Sequence, residues 1–68
     1  MNIIESGLRR VELEKIVGEV RTENYLVGMR DNGIPQRTDM TEEDKGIVYH
    51  AINNRIMAVR HLYPEENK

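Results

Sequence analysis

Arginine beside tyrosine is the pairing in this sequence that suggests ligand chemistry. Seven arginines stand against three lysines, at positions 9, 10, 21, 30, 37, 55 and 60. A guanidinium offers a planar fork to a phosphate, and a neighbouring ring offers a face for a base. Arg21 and Tyr25 lie four residues apart, and Arg30 and Arg37 flank a polar stretch. Tyr49 and Asn53 are one helical turn apart, with Arg60 two turns beyond Asn53. With Arg55, these residues form the candidate ligand-binding set. A solvated charged surface with tyrosines at a core edge is the competing explanation.

Arg55 is the most informative of them. It falls near the middle of an apolar arc, three or four residues from Ala51, Ile52, Ala58 and Val59. A guanidinium there must pair with a carboxylate, snorkel to the edge, or meet an anionic ligand. The carboxylates within reach of such a pairing are Glu12, Glu14, Glu19 and Glu23, in the same chain or a neighbour.

The inventory for catalysis is thin. No nucleophile elbow, phosphate-binding loop, zinc-protease helix or dinucleotide fingerprint occurs. The single serine, Ser6, has no histidine nearby in sequence, and cysteine is absent. Disulfides, cysteine-based zinc sites and thiol chemistry are therefore excluded. His50 and His61 would stand about 16 Å apart on one helix, too far to share an ion. The expectation is no enzyme, no metal and no cofactor.

The 68 residues include twelve acids and ten bases for a net charge of −2. That mixture argues against generic nucleic-acid binding, which needs a basic face. No apolar run approaches the ~18 residues of a membrane span, and the first residues lack the pattern of a secretion signal. The cytoplasm is the expected compartment. A chain this short buries only roughly 60% of the surface its unfolded form exposes, so oligomerisation or partner docking is the remaining way to complete a core.

The elements that must position the candidate residues read as helices within one domain, 1–68. Asn2 with Glu5 resembles a capping box, with Ser6 as a second cap. Leu13, Ile16, Val17 and Val20 then form one helical stripe, while Ile4, Leu8 and Val11 form another well over a right angle away. A helix apolar on two sides is normally sandwiched between neighbours. This helix is expected over about 3–30, with a break plausible near 21–24. Gly33 is placed to end it in the left-handed conformation, with Ile34 making the following apolar contact and Pro35 preventing continuation. A strand over 25–30 with a hairpin turn at 31–33 is the alternative. A polar loop covers 31–41. Thr41 caps a second helix over about 42–63, roughly 33 Å long, with Ile47, Val48, Ala51, Ile52, Ala58, Val59 and Leu62 on its apolar arc. Gly46, Asn53 and Met57 share the opposite side. Pro64 ends the helix and 64–68 is expected to fray. The fold class is all-α: two antiparallel helices, a helical hairpin, assembling into a homo-oligomeric bundle, dimer or tetramer.

Two compact helices around an arginine-bearing polar loop resemble small bacteriophage anti-defence proteins of the helical-hairpin type that sequester cyclic nucleotides between subunits. The likeness is architectural and spans Ile4 to Tyr63. It implies a viral accessory protein acting in the host cytoplasm on a phosphorylated nucleotide. The glycine-tyrosine-arginine segment associated with one such family is absent, so no residue role is carried over. Beside this stands a different class of function, a helical inhibitor or adaptor that binds and blocks a host protein. A dimeric nucleic-acid accessory factor using Arg9, Arg10, Arg55 and Arg60 is the third expectation.

Overall fold

The structure is a computed structural model that describes the backbone of residues 3–67 and the side chains of residues 9–67. The expected caps at Asn2, Glu5 and Ser6, and the Ile4 and Leu8 part of the second stripe, lie outside the described side chains.

The described residues form three α-helices: α1 (Ile3–Gly18), α2 (Glu23–Gly28) and α3 (Glu42–Leu62). No strand is present among the described residues, so the hairpin alternative for 25–30 gives way to helix. The helix expected over about 3–30, with a break near 21–24, is interrupted at residues 19–22, where glycine and extended backbone at Thr22 release the helix.

Beyond α2 the chain widens into a π-helical turn, Met29–Gly33, closed by the Ile34 amide donating to the Met29 carbonyl at 2.8 Å. Gly33 does not take the left-handed conformation expected of it, and no described residue has positive φ. Asp31, Asn32 and Gly33 are poor helix formers. The chain relaxes there by widening one turn, which swings Ile34 into the core. Pro35, lacking an N–H, then prevents a further turn.

α3 follows its sequence signals closely. The Thr41 hydroxyl accepts from the Asp44 amide at 3.0 Å, and Glu42, Glu43 and Asp44 occupy the positive end of the helix. The helix stops at Leu62, just before Pro64.

Helix directions follow from the long-range bonds. Arg9 meets Asp44 and Arg55 meets Val20, both at a separation of 35 residues. α1 and α3 therefore run parallel, at a constant offset. Arg60 meets Glu23 and Arg30 meets Asn53, rising numbers against falling ones, so α2 runs antiparallel to α3. An antiparallel hairpin is thus confined to α2 and α3. The break at 19–22 is the reason, because it reverses the chain before it reaches α3.

Leu13, Val17, Leu26, Ile34, Met40, Val48, Ile52, Ile56 and Val59 are buried. They form a strip down α3, with α1 on one flank and α2 on the other. Ile16 and Leu62, expected inside, are exposed because each lies round the edge of its helix from that strip. Ile56, absent from the expected arc, is inside. The tail is ordered rather than frayed: Pro64–Asn67 is a turn, and the Asn67 amide reaches back to the break between α1 and α2. The overall extents are 42 × 24 × 13 Å. The molecule is a slab, thin in one direction.

Candidate functional site

The expected ligand set does not converge in one place. Arg37 folds onto Asp39, two residues on, through paired contacts of 2.9 and 2.5 Å. That fork holds the Asp39 carboxyl down to about 2. Arg60 makes a two-point contact with Glu23, Nε to Oε2 at 3.0 Å with a second bond from its terminal nitrogen, and lowers the Glu23 carboxyl. Arg30 donates to Asp31 and to the Asn53 amide oxygen, each at 3.2 Å. Arg9 pairs with Asp44 at 3.2 Å and Arg10 with Glu14 at 3.8 Å. Tyr49 packs against the core, and Tyr25 is 64% exposed.

Two guanidiniums have no carboxylate within ion-pair distance among the described residues. Arg21 lies over the Tyr63 ring at 5.3 Å, and Arg55 over the same ring at 5.9 Å. Neither was expected to meet Tyr63, whose position just past the helix end hid it. Arg55 meets none of Glu12, Glu14, Glu19 or Glu23. Its Nε donates instead to the Val20 carbonyl at 2.9 Å, an acceptor left open where α1 has ended. Its terminal nitrogens make no hydrogen bond among the described residues.

Arg55 also borders an open groove of about 320 Å³ between α1 and α3, lined by Glu14, Val17, Gly18, His50, Ala51, Asn54 and Ala58 as well. Its floor is apolar and built from small residues on α3, while its rim carries one acid, one base, a histidine and an amide. Gly18 leaves open space where a side chain would stand. Beyond the ends of the groove, Val11 is 49% and Leu62 58% exposed. A second, polar hollow lies on the other flank, among Thr22, Glu23, Asn24, Glu66 and Asn67. Asn67 fills its own capacity there. Its two amide N–H groups are shared among the carbonyls of Arg21 (2.9 Å), Val59 (3.2 Å) and Tyr63 (2.9 Å), and its oxygen accepts from the Glu23 amide at 2.6 Å.

Among the described residues no group of three or more His, Asp or Glu side chains is placed to hold a metal ion. No described helix is long and apolar enough to cross a membrane. A scan against protein-family models finds no match, and searches of curated proteins and of solved structures find none either.

Proposed function

We propose that this chain is a non-enzymatic binding module whose groove between α1 and α3 receives an amphipathic helix of a protein. The observation that carries the reading is the contrast between charge and apolar surface. Most arginines are neutralised by acids of their own chain, whereas Val11 and Leu62 stay exposed about a small-residue groove in a slab 13 Å thin. Helix-in-groove recognition needs an apolar trough with polar markers on its rim. Glu14, His50, Asn54 and Arg55 supply such markers.

A photo-cross-linker placed at Ala58, and at Gln36 as a control on the far loop, tests this. Protein adducts are expected from position 58 and not from position 36. Equal labelling from both, or none from 58, overturns the reading.

A second reading has one specific observation in its favour, the two carboxylate-free guanidiniums on Tyr63. Sequestration of a phosphorylated nucleotide, as in the anti-defence proteins, would use Arg21, Arg55 and that ring. A nucleotide at a hundredfold excess over its dissociation constant adds about 2.7 kcal/mol of stability. Absence of any thermal shift with linear and cyclic nucleotides would remove this alternative.

A further inference from the structure

The edge of α3 along the groove reads Ile47, Ala51, Asn54, Arg55, Ala58, Leu62, with Asn54 and Leu62 exposed and the other four half-buried. These positions follow the three- and four-residue steps of a helix–helix seam. They are also symmetric. Ala51 and Ala58 are equidistant from the peptide bond joining Asn54 to Arg55, and so are Ile47 and Leu62. A strip with that symmetry is complementary to itself when a second strip is laid against it antiparallel.

We infer that the occupant of the groove is α3 of a second copy of this chain, antiparallel, about a two-fold axis passing beside Asn54 and Arg55. This rests on the helix-in-groove reading and names its partner. In that register Ala51 meets the partner's Ala58, which lets the two backbones approach closely, and Ile47 meets the partner's Leu62. Asn54 comes beside the partner's Arg55, whose terminal nitrogens make no hydrogen bond among the described residues. Both copies make the same contacts, as a closed two-fold interface requires.

The constant offset between α1 and α3 extends the match. Because α1 runs parallel to α3, the partner's α1 arrives antiparallel along the last half of α3. There it brings the partner's Val11 to the height of Leu62 and the partner's Glu14 to the height of Arg60 and His61. The two exposed apolar side chains of the groove's ends thus cover one another. The partner's Glu14 there faces His61 of the last turn, while Arg60 stays paired with Glu23 on the opposite flank. The acidic turn after Pro64 folds toward α2, on the opposite flank, and stays clear of the seam.

The chain contains no cysteine, which makes cross-linking clean. Ala51→Cys chains are mixed with Ala58→Cys chains and oxidised, and the wild-type mass is measured by native mass spectrometry at tens of micromolar. The expected results are twice the 8.0 kDa chain mass and a disulfide joining unlike chains. Two copies of the same variant would hold their cysteines about 10 Å apart along the axis, beyond the ~7 Å limit between α-carbons. Preferential pairing of like chains would mean a parallel seam and overturn the proposal. A monomer that still yields protein adducts from position 58 would overturn the second copy as occupant and leave the helix-in-groove reading standing. Ala58→Glu, a change at the half-buried groove edge outside the buried strip, should weaken the dimer at least about tenfold. Its far-ultraviolet circular dichroism should remain helical.

Discussion

Replacing Asn67 by alanine removes two N–H donors, shared among three carbonyls, and one acceptor at one stroke. Three carbonyls from two separate elements lose a donor, and the Glu23 amide at the start of α2 loses its acceptor. Each bond contributes a net ~0.5–1.5 kcal/mol when intact. The site is only partly buried, so water replaces some of them. The expected cost is about 2–3 kcal/mol, below the sum of the bonds at full strength. For a domain of this size, one kcal/mol moves the midpoint of thermal unfolding by about 4–8 °C, so a fall of roughly 10–20 °C is expected. Circular dichroism at 222 nm against temperature measures it, with Glu66→Ala as a neighbouring control that should stay near the wild type. Asn67→Asp should not rescue, because a carboxylate keeps the acceptor but turns a donor to three carbonyls into a repelling charge. A midpoint within about 3 °C of the wild type would refute the idea that this amide joins the end of α3 to the break before α2.

Other expectations follow from the same geometry. Gly46→Ala, an exposed helix-interior change with open space around it, should stabilise by about 0.5–1 kcal/mol in urea unfolding. Ile52→Ala, at a fully buried position in the middle of α3, should cost about 2–5 kcal/mol and leave the chain largely unfolded at room temperature. The Asp39 carboxyl is held down to about 2 by Arg37, against an ordinary value of 3.8. Its contribution is therefore fully present above pH 3.8 and lost as pH falls through about 2. In Arg37→Gln, NMR titration of that carboxyl should give a value returned toward 3.8, and an unchanged value would sink the pairing. Glu23, lowered by Arg60, should rise in the same way in Arg60→Gln.

Local signals explain how much of this was legible in the sequence. Thr41, the acidic first turn and Pro64 bound α3 because caps and stops act within a few residues. Ile34 was legible as an apolar contact following a helix end, though not the wide turn that delivers it. Helix direction was not legible. Whether 3–18 pairs parallel or antiparallel with 42–62 depends on where the chain reverses, and residues 19–22 are too weakly marked to fix that. The arginines misled for a physical reason. Spacing brings Arg37 to Asp39 and Arg60 to Glu23 as readily as to any ligand, and only the fold shows which acid arrives first. Arg55 was recognised as needing a partner, but a backbone carbonyl at a helix end has no side-chain signature. Tyr63 and Asn67 gave no signal for the same reason, since their partners come from the break, some forty residues upstream.

The flat arrangement has a kinetic consequence. α1 and α2 each pack on α3, so α3 is a spine with two wings, and Asn67 pins the start of the α2 wing to the end of the spine. Amide hydrogens along Val48–Val59 should exchange with solvent most slowly, through opening of the whole molecule. Those of α1 and α2 should exchange faster and independently, each wing lifting while the other stays closed. Cutting the Asn67 tie should hasten exchange in α2 more than in α1, because its acceptor holds the first amide of that helix.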